Sequence, residues 1–490
     1  MTPENSIQFS GQLSLVLTQS LVNKWIVTVT KWRPDIGSQR GPRYLAIADQ
    51  LARDIAAGRL KAGDRLPTHR DLAWSLGVTV GTVTRAYTEA ERRGLLAGEV
   101  GRGTFVRERN AEIGLAPAPS SSDPGFIDFS RNFPADHGQA RLIALAMAEV
   151  SQSNEFGTLL GYATTTGLPA HREAAAAWLT RDDFVVEAKD VVITSGAQHA
   201  MMLALSAVAR PGDVVLTEEL TFYGFKSVAN MLSVRLSGVA CDGHGLIPDA
   251  LDTACRQLSP KALYTLPTLQ NPTTVTMPIE RRREIIEICR RHGVMIIEDD
   301  IYGFLPPTAP PPLAALAPEQ TIYVTSLSKS VAPGMRIGYL RPPQAWAERL
   351  AGMMRASLWM APPIMAEIAA RLIRNGAARK LALAQRDEAI RRQAIARRIL
   401  AGQEIAAPPY AVHLWLHLPE PWRREEFAAA ARRRGVGIAS ADAFAVGRMT
   451  VPHAVRICVT APSDVTQVER GLGTIAALLR TGPSPGSPIV

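Results

Sequence analysis

Cysteine is scarce in this chain of 490 residues: Cys241, Cys255, Cys289 and Cys458 lie far apart, with no CxxC pair. That scarcity excludes a disulfide framework and a cysteine-based zinc site, and it suits the reducing cytoplasm. The thiols read as small buried side chains. The nine histidines show no HExxH or similar ligand spacing, so no metal centre is expected. Long hydrophobic runs are missing too. The apolar stretch at residues 13–29 is broken by Gln19, Ser20, Asn23 and Lys24 and falls short of a membrane span. Glu4 and the lack of an early basic cluster argue against a signal peptide. Internal repeats are absent.

The length suggests two or three domains, and 47% hydrophobic with 20% charged residues describes a globular chain. The net charge of +9 is unevenly spread: residues 1–110 carry 16 basic against 10 acidic residues. A basic end hints at a polyanionic partner. Two other arginine-rich stretches, 371–398 and 423–434, are interspersed with glutamate at helical spacing and read as exposed helix surface.

Composition divides the chain into an extension (1–41), a helix-and-hairpin module (42–108), a Pro/Ala/Ser-rich linker (109–126), a large body (127–480) and a disordered tail (481–490). In the small module, Leu45, Ile47, Ala48, Leu51 and Ile55 mark one helix face. A second helix starts at the N-cap Thr68, with Asp71 three residues on, and stops at Gly77. A third starts after Thr79. Two short strands around a Gly-rich turn then form a wing. In a helix-turn-helix the second helix of the pair enters the major groove. Its leading residues here are Thr79, Val80, Gly81, Thr82 and Arg85. Arg43 and Arg70 are placed to touch phosphate and Arg102 to enter the minor groove, with Thr68 and Gly103 in the same DNA-facing set.

In the body, apolar runs such as VVITSG (191–196), VVLTE (214–218), ALYTL (262–266), VMIIEDD (294–300) and TIYVTSLS (321–328) alternate with helical runs. This is the α/β pattern of a mainly parallel sheet with crossover helices. Four pieces make sense together around pyridoxal phosphate, which needs a Schiff-base lysine, a carboxylate for its pyridine nitrogen, a phosphate cradle and a stacking ring. Lys329 follows a strand and sits among Ser326, Ser328 and Ser330, with Arg336 seven residues on; Ser326 and Arg336 suit a phosphate. Asp299 falls at the C-terminal end of a strand, where α/β folds bind ligands, with Asp300 as rival. Tyr302 and Asn271 can reach the ring's phenolic oxygen. Ser195, Gly196, Ala197 and Gln198 lie between a strand and a helix, where free N–H groups face an anion. Phe222, or else Tyr223, supplies the stacking ring.

The small module resembles the GntR family of winged helix-turn-helix regulators. The matches are Gly63–Ala73 (GDRLPTHRDLA), Thr82–Tyr87 and Gly101–Val106. The body resembles the fold-type-I aminotransferases at Tyr162–Gly167–Arg172, Ser195–Gln198, Asn271–Thr274, Asp299–Tyr302 and Ser326–Arg336. That second resemblance implies that Arg456 grips a substrate α-carboxylate. It also implies that Tyr162 reaches the cofactor phosphate of a partner subunit in a homodimer. Two departures stand out: Thr274 replaces the glycine of an NPTG turn, and Glu219–Gly224 lacks the proline of E-x-P-x-Y-x-G. A GntR-like head on an aminotransferase-like body is similar to the MocR subfamily. The expected function is a regulator that binds operator DNA and senses an amino acid or amine at its cofactor; the rival is a working aminotransferase with a secondary head.

Overall fold

A computed structural model describes residues 32–35, 42–60, 64–92, 95–99, 103–106, 125–447 and 449–482. They fall into two compact units, within residues 1–112 and 113–490. Arg102, Gly101 and Gly63, most of the expected linker, and most of the extension and tail lie outside the described residues.

The small unit is built from α1 (Arg43–Ala56), α2 (His69–Leu76), α3 (Val80–Arg92) and an antiparallel hairpin of β1 (Leu96–Glu99) and β2 (Gly103–Val106). Ile47, Leu51, Leu66, Leu72, Val83, Tyr87, Leu96 and Val106 converge into one core. Each such apolar side chain contributes about 1.5–3 kcal/mol when fully buried. Leu45 and Ile55, expected on the buried face of α1, are only half-buried. Trp32, placed by the sequence in the extension, belongs to this unit: its indole Nε1 donates to Asp54 at 2.7 Å. Thr68 caps α2 by accepting from the Asp71 N–H at 3.2 Å, and Gly77 ends the helix in the left-handed conformation at φ 60°. Losing such a cap costs about 1 kcal/mol. Thr68→Ala is therefore expected to raise local opening of α2 roughly fivefold, read as faster amide exchange at Leu72 and Ala73.

The body centres on a seven-stranded sheet. Its order is Val192–Thr194, Gly338–Arg341, Thr321–Ser326, Met295–Asp299, Ala262–Thr265, Val214–Glu218 and Arg235–Val239. Only Gly338–Arg341 runs antiparallel to its neighbours. Nearly continuous Val/Ile/Leu character follows from burial on both faces. One face packs Met201, Leu205, Phe225, Val228 and Met354; on the other, one cluster holds Leu179, Phe184, Ile368 and Leu372 and another Leu251, Ile285 and Cys289. A second, antiparallel sheet (Ile405–Ala406, Leu414–His417, Ala454–Ile457, Ala439–Ser440) packs with Phe427, Leu472 and Ile475. Among the described residues no helix is long and apolar enough to cross a membrane.

The arginine-rich stretch 371–398 is not uniformly surface. Arg392 is buried, with its Nη1 donating to the carbonyls of Val459 (3.1 Å) and Pro462 (2.7 Å) and its Nε to Glu388. A buried guanidinium is tolerable only when its donors are used up, and here four-residue helical spacing supplies the carboxylate.

Candidate active site

The C-terminal ends of the parallel strands converge with residues from the second sheet. Ser195–Gln198 follows Val192–Thr194 and opens the helix Ala197–Val208. Gly196 has φ 82°, and a Cβ there would sit 2.7 Å from Nη2 of Arg336. Glycine is thus required both for the turn and for the approach of the guanidinium. Arg336 is exposed, and its Nη2 reaches only the Ser195 carbonyl, at a long 3.4 Å. Ser326 is buried, and its Oγ accepts from the Ser328 N–H at 3.2 Å.

Asp299 and Asp300 have different surroundings. Successive residues leaving a strand face opposite ways. Asp299 accepts from the Tyr264 hydroxyl (2.8 Å) and the Ile301 N–H (3.2 Å). Asp300 turns instead to Arg181 and the Tyr323 hydroxyl, both at 2.8 Å. Burial pushes the Asp299 carboxyl up to about 7, the Tyr264 hydrogen bond opposing it. No cationic side chain pairs with Asp299 among the hydrogen bonds and ion pairs of the described residues.

Lys329 donates its amine to the backbone carbonyl of Asn132. Loss of hydration pushes that amine down to about 8. The Asn132 side-chain amide donates to the Tyr302 hydroxyl at 2.8 Å, tying the lysine and the tyrosine to one loop. Arg456, fully buried, donates to Asn271 Oδ1 (2.7 Å) and the Ser130 carbonyl (2.6 Å), while its Nε has no partner. Its guanidinium also lies 4.8 Å from the Phe444 ring centroid and 5.8 Å from that of Tyr223. Tyr223 thus packs toward Arg456, whereas Phe222 lies against Gly224, where a Cβ would meet its ring at 2.4 Å. With Asn271 Oδ1 taken by Arg456, its amide nitrogen is free to donate. Tyr162 is 87% exposed and touches only the Trp359 ring, 5.8 Å away, among the aromatic contacts.

Both departures from the family pattern preserve backbone geometry. Thr274 takes up the left-handed φ of 65° that glycine would adopt, and its N–H donates to the Gln270 carbonyl at 2.7 Å. Thr221, where proline is usual, donates its N–H to the Phe444 carbonyl at 2.9 Å, a bond proline cannot make.

Four participants were not legible in the sequence: Asn132, Ser130, Tyr264 and His199. His199 accepts from the Ser195 N–H through Nδ1 (3.2 Å), and its Nε2 meets Ser357 Oγ at 3.0 Å. Burial lowers its pKa, which favours the neutral ring able to accept at Nδ1. The Ser195 N–H is therefore spent on His199, and the cradle's free donors begin at Gly196 and Ala197. An unpaired buried donor costs about 1–3 kcal/mol. His199→Phe should weaken cofactor binding roughly tenfold, with His199→Gln restoring part of it, in a spectrophotometric cofactor titration.

In the small unit, Thr68, Arg70, Thr79, Val80, Gly81 and Arg85 are exposed, as is Arg43; Thr82 is half-buried, with its hydroxyl 2.9 Å from that of Thr79. A Cβ on Gly103, at φ 118°, would meet Arg65 at 2.8 Å, so a side chain is disfavoured at the start of β2.

Residues 124–475 match the family model of aminotransferase class I and II, and residues 43–106 match that of bacterial regulatory proteins of the gntR family. The chain belongs to the aminotransferase class I and II family, as a MocR-type regulator. An uncharacterized HTH-type transcriptional regulator of Bacillus subtilis, YdeF, is 31% identical across 91% of this chain and 96% of its own length. A second, YjiR of Escherichia coli, is 30% identical across 61% of this chain and 69% of its own. Among solved structures, an archaeal alanine:glyoxylate aminotransferase superposes with a TM-score of 0.66 at 26% identity, covering 73% of this chain and 91% of that one. Pyrococcus horikoshii kynurenine aminotransferase does so at 0.67 and 23% identity, over 73% and 91% respectively.

The MocR regulator thus joins a DNA-binding head to a body whose cofactor is pyridoxal phosphate. The residues fit that group. Asp299 is a buried carboxylate without a cation, as a pyridinium partner requires. The Gly196 turn lies against the Arg336 guanidinium, a donor set that suits a phosphate, and Lys329 is a desolvated amine without a carboxylate partner.

Proposed function

We propose that this regulator is a cytoplasmic homodimer that senses an amino acid or amine at the Lys329 site and changes its grip on operator DNA accordingly. The observation that carries the reading is the juxtaposition of Lys329 and Arg456 around one loop: the carbonyls of Asn132 and Ser130 accept from them respectively. The cofactor supplies an aldehyde that a primary amine can occupy reversibly and a ring that draws off electron density.

The chain's own residues do the rest. Asp299 would hold the pyridine end, Phe222 would back the ring, and Tyr302 and the amide of Asn271 would donate to the phenolic oxygen. Gly196, Ala197, Ser326 and Arg336 would hold the phosphate, with Gln198 bracing the cradle through its bond to the Gly224 carbonyl, 2.8 Å. Ser328 sits beside the lysine in its turn. Lys329, whose pKa burial lowers to about 8, gives up its proton far more readily than an ordinary lysine and would be the amine that holds the aldehyde in the absence of a ligand. Arg456 orients a carboxylate on that amine through its unpartnered Nε. Exposed Tyr162 supports contact with a partner subunit's cofactor phosphate. In the head, Thr79, Val80, Gly81, Thr82 and Arg85 face base edges, and Arg43 and Arg70 face phosphate.

Turnover as an aminotransferase is the second reading, favoured by the full set Lys329, Asp299 and Arg456. A titration of cofactor-loaded protein with amino acids, followed by its visible absorption, separates the two. Sensing predicts a shifted band that persists with no keto acid released. Stoichiometric keto acid would establish transamination, and an unshifted band for every amine and amino acid would overturn ligand sensing at this site.

A further inference from the structure

His413 is fully buried directly before the strand Leu414–His417, beside an apolar cluster that includes Leu269, Ile301, Tyr302 and Leu305. Its ring centroid lies 5.8 Å from that of Tyr302. We propose that His413, acting through the side-chain amide of Asn132, fixes the Tyr302 hydroxyl as a hydrogen-bond donor toward the cofactor's phenolic oxygen. His413 is then a positioning residue, two hydrogen bonds removed from the cofactor.

The direction of each bond follows from hydrogen counting. An amide nitrogen carries two hydrogens and no acceptor. That of Asn132 lies 2.8 Å from the Tyr302 hydroxyl and 3.3 Å from His413 Nδ1, so one hydrogen serves each. Nδ1 accepts only when the ring is neutral and carries its hydrogen on Nε2. Burial enforces the neutral ring: loss of hydration, then the nearby Arg456 charge, pushes its pKa down to about 3. The Tyr302 oxygen therefore accepts from Asn132, and no other hydrogen bond reaches it among the described residues. Its own hydrogen is left for an acceptor outside the chain. The opposite polarity, with the amide turned over and the ring hydrogen on Nδ1, would give that hydrogen to Asn132 Oδ1 and leave Tyr302 nothing to donate.

Separate elements hold the two partners in register. Gln393, on the helix Ala377–Ile399, donates to the carbonyls of Ala411 (2.7 Å) and His413 (3.0 Å). Thr460 donates to the carbonyl of Phe133 at 2.9 Å, next to Asn132. His413 Nε2 is buried without a hydrogen-bond partner. Buried donors are ordinarily paired, and a phenylalanine would fill this place with no donor to leave unpaired. What the imidazole adds lies at Nδ1. Because the Asn132 backbone carbonyl also accepts from Lys329, one loop residue links His413, Tyr302 and the lysine.

The role rests on Tyr302 lying at the phenolic oxygen, as in the proposed function. A donor there favours the unprotonated oxygen and lowers the pH at which the attached cofactor loses its proton; losing the donor raises that pH. The other titratable groups acting on Tyr302 are Arg456, Cys458, Asp299 and Tyr223, and Arg456 and Lys329 act on His413; all stay in place in the variants below.

The test is a pH titration of the visible absorption of full-length, cofactor-loaded protein. Tyr302→Phe tests the premise and should raise the midpoint by about one pH unit. His413→Phe and Asn132→Ala should each raise it too, the latter keeping the backbone carbonyl that serves Lys329. His413→Asn, whose Oδ1 can stand where Nδ1 stands, should restore most of the wild-type midpoint. His413→Phe combined with Tyr302→Phe should move it no further than Tyr302→Phe alone, since the two act through one bond. If His413→Phe does not load cofactor, a raised midpoint in Asn132→Ala beside a wild-type midpoint in His413→Asn is the required result. A midpoint unmoved by Tyr302→Phe would overturn the premise and the proposal together. A midpoint moved by Tyr302→Phe but by neither His413→Phe nor Asn132→Ala would overturn the proposal alone, as would full additivity in the double variant.

Discussion

Lys329→Ala is expected to abolish the covalent, borohydride-reducible attachment of the cofactor to the protein, while leaving nonspecific DNA binding intact. The amine of Lys329 has no equivalent in the body: Lys226, the other lysine whose pKa burial lowers to about 8, donates to the carbonyls of Ala443 and Ala445 and is held away by them. Loss of attachment should therefore be complete rather than graded. The pH dependence of attachment carries the same signature. Only the unprotonated amine condenses with an aldehyde. With the pKa lowered from 10.5 to about 8, the rate of cofactor attachment to the apo protein should rise steeply up to about pH 8 and level off above it. An ordinary lysine would keep climbing toward pH 10. Persistence of a borohydride-reducible linkage in Lys329→Ala would show that another lysine carries the cofactor.

Arg456→Gln should separate carboxylate recognition from amine recognition. The guanidinium is fully buried, fixed by Asn271 Oδ1 and the Ser130 carbonyl, and left with one unpartnered N–H. Removing one partner of a buried, hydrogen-bonded charge pair costs roughly 2–5 kcal/mol, or about 30- to several-thousand-fold in affinity. Amino-acid effectors should weaken by that factor, whereas amines without a carboxylate should bind almost unchanged. The comparison is a spectral titration of wild type and variant with paired ligands, such as L-alanine and ethylamine. Equal losses for both would mean that Arg456 only supports the fold.

Much of this site was legible because the chemistry sits on strand ends and short turns, where a local motif fixes geometry. Lys329, Asp299, Tyr302, Gly196 and Arg336 all fall there. The rest depends on contacts across great sequence distance. Asn132 reaches Lys329 through a backbone carbonyl, which no side-chain motif encodes. Tyr264 reads as a buried strand residue until the neighbouring strand brings Asp299 to its hydroxyl. His199 reads as one more residue of an apolar helix, although it occupies the Ser195 N–H. Charge patterning misled at Arg392, where helical spacing suggested an exposed face and the turn Val459–Pro462 covers the side chain instead. In the head, the cap at Thr68 and the stop at Gly77 were plain in the sequence because helix ends are set locally.

The account's central claim is that occupancy of the Lys329 site and DNA binding are linked. Linkage is reciprocal: an effector that changes operator affinity by some factor has its own affinity changed by the same factor when DNA is bound. The measurement is operator affinity of the cofactor-loaded protein, by fluorescence anisotropy, with and without a saturating amino acid that shifts the visible band, alongside effector affinity with and without operator. The account predicts a change of roughly 5- to 150-fold, equal in the two directions and absent in Lys329→Ala. An operator affinity indifferent to an effector that demonstrably occupies the site would contradict it.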